Sequence, residues 1–403
     1  MFDYIARPLY INKIRPYIGK SLIKVLIGQR RSGKSYLLYE LMDLLKDEFV
    51  VGVDNIVYIS KELAEFDVLK NDGDLLDYIK SRQLPTDAHK VLMIDEVQEI
   101  EQFEKVLRSL QAEGGWDIYI SGSNANILSS ELSTFLSGRY VEIEIFPLSY
   151  GEFLTFHKKP KGDESFIEYI KFGGLPYLIH LELLEEVVYP YLRNVYDSIL
   201  LKDVVKRYRV RNVAFLQSLV SFLANNIGSI VSAKKIADYL LKERVRISPS
   251  VVINYLEFLN SVYFVFDVKR KAIGKKIFEV GSKHYFADLG IRHALFAYGA
   301  DDIAKVLENL VYVQLRREGY EVFVGETEGK EIDFIAKKGG DKKYVQVAYL
   351  LNDQKTVERE FGNLLAIPDN YEKIVVSLDK YVGTDYKGIK VVNAMEFLTE
   401  FKL

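Results

Sequence analysis

Eight consecutive residues near the amino terminus have the types and spacing of a phosphate-binding loop. They match the pattern G-x-x-x-x-G-K-[ST] in full and read Gly28-Gln29-Arg30-Arg31-Ser32-Gly33-Lys34-Ser35. Glycines let the backbone curl so that successive N–H groups converge on the β- and γ-phosphates of a nucleotide. Lys34 is expected to reach the same oxygens, and the Ser35 hydroxyl is expected to ligate Mg²⁺. Tyr36, the next residue, is also a predicted nucleotide contact. The alternative for the whole segment is a purely structural turn.

The segments on either side of the loop have the patterns of a strand and a helix. Residues 22–27 are apolar except for Lys24, and leucines recur at helical spacing over residues 36–45. The motif requires a strand, a loop and a helix in this order. The helix would begin near Lys34 and direct the positive end of its dipole at the phosphates.

Two adjacent acids end another apolar segment. Residues 90–96 read Lys-Val-Leu-Met-Ile-Asp-Glu, so Asp95 and Glu96 lie at the carboxyl end of a predicted strand. Asp95 is a candidate holder of the Mg²⁺ shell, and Glu96 is a candidate for polarising the attacking water. A buried strand with a solvated acidic end is the alternative, and the complete phosphate loop upstream favours the catalytic interpretation.

Further polar residues follow the strand predicted over residues 116–120. Ser123 and Asn124 are candidate sensors of the γ-phosphate or of the attacking water. A capped turn that opens a helix over residues 125–136 explains them equally well. Arg139 is a candidate arginine finger, acting within its own chain or on a neighbouring subunit, and a plain surface arginine is the alternative.

The loop, the acid pair and the polar sensor all follow predicted strands, which places function at the carboxyl ends of an open parallel sheet. The predicted fold class is therefore α/β, with a P-loop NTPase sheet. A strand predicted over residues 55–60, between the loop and the acids, and another strand after the acids suit the additional-strand ATPases.

Length and composition limit the remaining possibilities. A chain of 403 residues is too long for one core, and its net charge of -3 neither favours nor excludes a nucleic-acid partner. Disulfides and thiolate metal sites are excluded because the chain has no cysteine. No apolar stretch reaches the roughly 18 residues of a membrane span, and no signal-peptide pattern begins the chain, so a cytoplasmic protein with no membrane partner is expected.

Residues 22–154 resemble the AAA-type ATPases of bacteria and archaea that begin with G-x-R-R-x-G-K-[ST]. The further motifs that carry the resemblance are Ile94-Asp95-Glu96-Val97-Gln98, the polar sensor, Gly138-Arg139-Tyr140 and Phe146-Pro147-Leu148-Ser149-Tyr150-Gly151-Glu152-Phe153. The resemblance implies that the chain binds ATP with Mg²⁺ and hydrolyses it. The choice of ATP over GTP rests on this resemblance, because no residue of the sequence is known to select adenine.

The middle of the chain is predicted to be helical. Residues 166–211 are interrupted at Gly173-Gly174-Leu175-Pro176, where the family has a G-G-x-P motif in its helical lid. Cations cluster at the end of this segment with one acid among them: Lys202, Lys206, Arg207, Arg209 and Arg211. They form either a solvated helix face or a basic edge that contacts nucleic acid or nucleotide phosphates.

Three amphipathic helices predicted over residues 216–227, 233–241 and 250–259, followed by two pairing strands, indicate a winged helix, which the family carries here. Such a module reads double-stranded DNA through its third helix and supports it with the wing. The predicted wing is basic and contains Lys269, Arg270, Lys271, Lys275 and Lys276. The third helix has no arginine or lysine for guanine edges or phosphates. DNA and a protein partner, including a second copy of the chain, therefore remain open alternatives.

Beyond residue 288, the predicted order αβββαβ resembles the PD-(D/E)xK (restriction-endonuclease-like) fold, which the parent family carries at its carboxyl terminus. In an active member, a helix Glu, a strand Asp and an E/Q-x-K pair bind Mg²⁺ and activate water. Glu308, Asp333 and Gln346 match the first three of these positions.

The lysine position of that pattern holds Ala348 instead. Lys343 or Lys355 can replace the missing cation only by reaching across in space. The expected result is a degenerate domain used for binding or assembly.

The predicted domains are an ATPase core (residues 1–155), a helical lid (156–211), a winged helix (212–280) and the nuclease-like domain (281–403). The predicted function is an Mg-ATP-dependent switch or motor. The alternatives are a DNA-processing nuclease that acts through the last domain and a non-hydrolysing, ATP-gated protein-interaction module.

Overall fold

The computed structural model describes residues 4–82, 84, 89–125, 136, 138–242, 245–272, 281–299, 302–327, 329–351, 354–379 and 385–400. Most of the helix predicted over residues 125–136, together with Lys275 and Lys276 of the predicted wing, lies outside these ranges. The chain divides into two compact units. One comprises residues 1–145 with 261–263, and the other comprises residues 146–260 with 264–403.

The first unit is built on a parallel sheet. Its strands are β1 (Ile23–Ile27), β2 (Ile56–Ser60), β3 (Lys90–Asp95), β4 (Trp116–Gly122) and β5 (Tyr140–Glu144). Their order is β2-β3-β4-β1-β5, and every neighbouring pair is parallel. The strand β4 is inserted between β1, which leads into the phosphate loop, and β3, which ends in the acid pair. The predicted α/β class and P-loop sheet are confirmed.

Four described helices accompany this sheet: α1 (Pro8–Ile14), α2 (Lys34–Asp47), α3 (Asp72–Ser81) and α4 (Phe103–Glu113). The leucines at helical spacing lie in α2, and their buried side chains join a core with α1 and with strands β1, β3, β4 and β5. Burial of this apolar stripe stabilises α2, because tertiary packing rather than intrinsic propensity holds most protein helices.

The second unit begins with a series of helices, and all but the first of them overlap the segments predicted to be helical. These are α5 (Tyr150–His157), α6 (Asp163–Phe172), α7 (Glu185–Ser198), α8 (Val213–Asn225), α9 (Ala233–Lys242) and α10 (Pro249–Ser261). A π-helical segment, Ile199–Lys206, continues directly from α7. None of the described helices is both long and apolar enough to cross a membrane.

A mixed sheet forms the rest of the second unit. Its strands are β6 (Val265–Ala272), β7 (Ser282–Phe286), β8 (Glu321–Thr327), β9 (Lys330–Lys338), β10 (Asp341–Ala348), β11 (Glu372–Ser377), β12 (Asp385–Tyr386) and β13 (Ile389–Asn393). Helices α11 (Leu289–Leu295), α12 (Ile303–Arg317), α13 (Gln354–Leu365) and α14 (Ala394–Glu400) alternate with them. The sheet is compatible with the small α/β domain expected from the sequence.

The strand order of this sheet is β12-β13-β11-β10-β9-β8-β6-β7. The hairpin β6–β7, predicted as the wing, is antiparallel, and β6 also pairs in parallel with β8. The hairpin is therefore continuous with the carboxyl-terminal strands. The segment α12-β8-β9-β10-α13-β11 follows the αβββαβ order of the sequence prediction.

Two motifs that carry the family resemblance contact each other in the second unit. The Leu148 N–H donates to the Gly174 carbonyl at 2.6 Å, and a Cβ on Gly174 would lie 2.4 Å from the Leu148 carbonyl oxygen. The Gly174 N–H in turn donates to the carboxylate of Asp288 at 2.7 Å. Only glycine allows this approach of the two backbones, which accounts for the second glycine of the G-G-x-P motif.

Candidate active site

The phosphate loop follows β1 and ends in the first turn of α2. Gly33 is the N-cap of α2 and has a φ of 97°, in the left-handed region. A Cβ on Gly28, whose φ is 148°, would lie 2.1 Å from the Ile145 carbonyl oxygen. The loop backbone can therefore pass the segment after β5 only because residue 28 is glycine.

The Lys34 ammonium is held by the loop itself. Its Nζ donates to the carbonyls of Gly28 at 3.1 Å and Gln29 at 3.0 Å. The same Nζ lies 3.9 Å from the Glu96 carboxylate, and Lys34 is buried. This puts a positive charge at the position where a phosphate-binding loop uses one.

Two buried polar side chains of the loop have no hydrogen-bond partner among the described residues. They are the Gln29 amide, at both of its polar atoms, and the Ser32 hydroxyl. Nearly all buried polar groups in proteins are paired, so polar side chains without a protein partner indicate a site that binds a ligand. A nucleotide phosphate with its metal and waters supplies donors and acceptors of this kind. The residues present therefore fit the Mg-nucleotide that the motif implies.

The two predicted Mg²⁺ ligands, Ser35 and Asp95, are neighbours. Asp95 ends β3, and Ser121 of the adjacent strand β4 donates its hydroxyl to Oδ1 of Asp95. Burial raises the pKa of Asp95, while hydrogen bonds from the hydroxyls of Ser121 and Ser35 act to lower it.

Glu96 directly follows β3 in a left-handed conformation with a φ of 53°. Non-glycine residues adopt this conformation infrequently, and such backbone strain concentrates at functional sites. Its N–H donates to the Ser121 hydroxyl at 3.1 Å. Its Oε2 accepts hydrogen bonds from the Ser123 hydroxyl at 3.1 Å and from the Gln98 amide. Two donors thus hold one oxygen of the carboxylate in place.

Although Glu96 is buried, its carboxylate is favoured over the neutral acid. Burial acts to raise the pKa of Glu96, but the charges of Lys34 and Arg30 and the hydrogen bonds from Gln98 and Ser123 together lower it below the ordinary glutamate value. An ionised, oriented carboxylate can position a water molecule or accept a proton from it.

The three other predicted site residues, Asn124, Tyr36 and Arg139, differ in burial and in the end of the sheet at which they lie. Asn124 is fully buried next to Ser123, at the carboxyl end of β4. Tyr36, on the first turn of α2, is 57% exposed. Arg139 precedes β5 at the amino end of the sheet, where its carbonyl accepts the Ile23 N–H. Since the phosphate loop begins after the opposite end of β1, the structure does not bring Arg139 to the site of its own chain. A role in a neighbouring subunit stays a prediction.

Arg7 is a site residue that the sequence analysis missed. It is buried, its Nη1 donates to the Ser32 carbonyl of the phosphate loop at 2.9 Å, and its own N–H donates to the Glu40 carboxylate of α2 at 3.0 Å. Arg7 therefore ties the segment before α1 to both the loop and its helix. The segment has no motif or periodicity from which this contact could be predicted.

The nuclease-like positions gather around a lysine from outside the motif. Lys283 of β7 contacts Glu308 of α12 and Asp333 of β9, at 2.6 and 3.3 Å. Burial and the neighbouring Asp333 raise the pKa of Glu308 to about 7. Burial acts to lower the pKa of Lys283, but the carboxylates of Glu308, Asp333 and Glu331 raise it above the ordinary lysine value.

Neither lysine proposed from the sequence as a replacement reaches this cluster. Lys343 pairs with Glu372 and, at 3.5 Å, with Asp341. Lys355 lies exposed at the start of α13.

Comparisons with known proteins show what the chain is similar to. Residues 20–154 match the sequence model of a family described as an AAA domain, and residues 163–302 match one described as a domain of unknown function (DUF8612). An uncharacterised protein of Methanocaldococcus jannaschii is 31% identical over 84% of this chain and 77% of its own length. A Walker-type ATPase of Pyrococcus abyssi aligns with a TM-score of 0.48 at 15% identity, covering 73% of this chain and 96% of that one.

An uncharacterised protein of Haemophilus influenzae is similar over nearly the whole chain. It is 38% identical over 406 residues, which cover 98% of this chain and 99% of the relative. The chain therefore belongs to the same protein family as this relative, and its residues 20–154, which match the AAA-domain model, contain the parallel sheet and phosphate loop of a P-loop NTPase fold.

Proposed function

We propose that the chain binds Mg-ATP at the phosphate loop and hydrolyses it, and that this cycle drives a molecular switch or motor. The arrangement of Glu96 carries the proposal. Its ionised carboxylate, fixed by Ser123 and Gln98, lies 3.9 Å from the Lys34 ammonium. Binding of phosphate alone does not require a buried glutamate in a left-handed conformation beside the lysine. Hydrolysis does require a group that orients water next to the γ-phosphate.

Each side chain then has a distinct task. The N–H groups of residues 28–36 and the Lys34 ammonium bind the phosphates, while Ser35 and Asp95 would hold Mg²⁺. The bound metal neutralises charge on the phosphate oxygens. Glu96 orients the attacking water and accepts its proton, and Ser123 keeps that carboxylate in place. Asn124 is proposed as the second sensor beside Ser123.

The first test compares ATP turnover with ATP binding in the wild-type chain. We expect steady-state hydrolysis that is lost when EDTA removes Mg²⁺. Calorimetric titration with ATP and with GTP would establish the nucleotide preference. Tight ATP binding without any turnover would instead support the ATP-gated interaction module and would reject the proposed hydrolysis.

A basic surface in the second unit favours DNA association as a second candidate function. Among the described residues, no ion-pair partner lies within 4 Å of the lid cations Lys202, Lys206, Arg207, Arg209 and Arg211. Tyr208, in the middle of this run, stacks on Phe258 of α10 with ring centroids 4.1 Å apart and planes at 8°. The stacking brings the unpaired cations beside the third helix of the proposed winged helix, which itself lacks basic residues. They can supply the phosphate contacts that this helix cannot.

Reversing two of these charges is expected to weaken binding of double-stranded DNA. In K202E/K206E, the slope of log K against log salt should fall by about 2, because each lost phosphate contact removes about one counterion. Fluorescence anisotropy of a labelled duplex at several salt concentrations measures this slope. K80E/K355E serves as the control, because it reverses two exposed lysines elsewhere and changes the net charge by the same amount as K202E/K206E. If both variants bind alike, or the wild type does not bind, a protein partner becomes the better candidate.

A further inference from the structure

Lys283 is enclosed by three carboxylates in the second unit. Its Nζ lies 2.5 Å from Glu331, 2.6 Å from Glu308 and 3.3 Å from Asp333, and the residue is 2% exposed. The lysine comes from β7 and the acids come from α12 and β9. Three elements that are separate in sequence thus converge on one ammonium group.

A divalent metal is implied at these acids by the resemblance to active nucleases, but the residues present do not fit it while the Lys283 ammonium occupies one oxygen of each acid. Both polar atoms of the Gln346 side chain are already engaged, because Oε1 accepts the Asp333 N–H at 3.2 Å and Nε2 donates to Glu360 at 2.8 Å. The second oxygen of Asp333 accepts the Val347 N–H at 2.9 Å. In the part of the chain that the structure describes, no group of three or more His, Cys, Asp or Glu side chains is placed to hold a metal ion.

The electrostatics of the cluster explain why a cation is nevertheless needed. Carboxylates that share a buried site repel one another and are costly to desolvate without a compensating charge. Lys283 supplies that charge from a fixed position on a strand. Tyr285, two residues further along β7, donates its hydroxyl to the same oxygen of Glu308. One strand therefore provides both the positive charge and an additional hydrogen bond.

We propose that Lys283 is the permanent cation of this site: its ammonium takes the place of a divalent metal among Glu308, Glu331 and Asp333, and its removal converts the cluster into a divalent-metal site. The lysine position of the nuclease pattern holds Ala348, so the cation here arrives from a different strand and is bound by the acids themselves. The domain consequently keeps its acids for structure and does not use them to activate water.

Metal binding by the full chain tests this proposal. The background variant is D95N without nucleotide, which removes a predicted metal ligand of the phosphate site. The probes are Mn²⁺, read as a shift of the thermal midpoint, and Tb³⁺, read as luminescence sensitised by nearby tyrosine such as Tyr285. K283A is expected to gain a saturable response to both probes that the lysine-containing chain lacks, since a bound ion stabilises the folded state by mass action.

Two further variants locate the response. K283A/D333N should lose it, because one of the three acids is neutralised. K343A is the matched control, since it also removes a buried lysine paired with two acids but leaves the Lys283 cluster intact. The proposal is overturned if the Lys283-containing chain itself binds Mn²⁺ in a manner that D333N abolishes, or if folded K283A binds neither ion.

Failure of K283A to fold would also be informative. Excess Mn²⁺ during refolding should then restore the native circular dichroism spectrum, and refolding in EDTA should not. A chain that remains unfolded with Mn²⁺, while K343A folds normally, would show that a metal cannot take the place of the ammonium and would reject the exchange.

Discussion

Glu96→Gln is expected to lower ATP turnover by about 10²- to 10⁴-fold, the range that a positioned general base contributes. The affinity for ATP should be retained, because glutamine leaves Lys34 and the loop backbone in place. Binding and chemistry are therefore expected to separate in this variant. Steady-state hydrolysis and calorimetric titration with ATP measure the two quantities independently.

The hydrogen bonds of Glu96 are the reason to expect that an uncharged side chain of the same shape will not support hydrolysis. Ser123 and Gln98 both donate hydrogen bonds to Oε2 of Glu96, so the carboxylate acts as an acceptor on that side. Oε1 lies 3.9 Å from the Lys34 ammonium. A glutamine amide has only one acceptor oxygen, and it cannot take a proton from water. It can preserve the packing of this group but not its chemistry.

Glu99→Gln is the matched control for this experiment. Glu99 is exposed and lies three residues further along the same turn, so the substitution removes the same charge without touching the cluster. It should leave turnover unchanged. Equal activity of E96Q and the wild type would contradict the assigned role, and turnover that rises with double-stranded DNA but vanishes in E96Q would link hydrolysis to the basic surface.

The core of this site was predictable from the sequence because its residues are local. The phosphate loop is one unbroken segment, and Asp95 and Glu96 end one apolar strand. The carboxyl ends of parallel strands meet at a common edge, so placing these motifs on strands was enough to bring Lys34 and Glu96 together.

Residues that reach a site across long stretches of chain were not predictable in this way. Arg7 contacts the loop at Ser32, and Lys283 contacts acids 25 to 50 residues further along the chain. The sequence around either residue contains no motif that predicts its partner. Lys343 and Lys355, the replacements expected from the sequence, lie close to Ala348 along the chain, whereas the cation that contacts the acids is Lys283 of the distant strand β7.

Arg139 belongs to a recognisable motif but lies away from the site of its own chain. Its Gly-Arg-Tyr motif follows the candidate catalytic segments in the sequence, but it precedes β5. The pairing of Ile23 with Tyr140 places it at the amino end of the sheet. The direction of a strand, which a short motif does not encode, decides which edge receives its flanking residues.

A lysine inside an apolar strand indicates a buried ion pair, and Lys24 forms one. Lys24 is the second residue of β1, and its side chain is fully buried against Asp117 of β4, which is equally buried. Its Nζ also donates to the Leu22 carbonyl at 2.8 Å. The Asp117 carboxylate accepts the Gly19 N–H and the Tyr119 hydroxyl, each at 2.9 Å. Burial lowers the pKa of Lys24, and the charge of Asp117 acts against that shift.

Lys24→Met is expected to lower the free energy of unfolding of the first unit by about 3–5 kcal/mol, because it leaves the Asp117 charge buried without its partner. Trp116 is the single tryptophan of the chain and lies next to Asp117, so its fluorescence during urea denaturation reports on this unit. Lys105→Met is the control, since Lys105 belongs to an exposed pair with Asp72, and its loss should cost less than about 1 kcal/mol.

The double variant K24M/D117N distinguishes a charge penalty from a packing defect. If the penalty comes from the unpaired carboxylate, neutralising Asp117 should recover part of the stability that K24M loses, because the buried charge is gone while the amide still accepts from Tyr119 or Gly19. If the double variant is no more stable than K24M, the loss comes from packing around Lys24. If K24M unfolds at the same urea concentration as K105M, the buried pair contributes no more than a surface one.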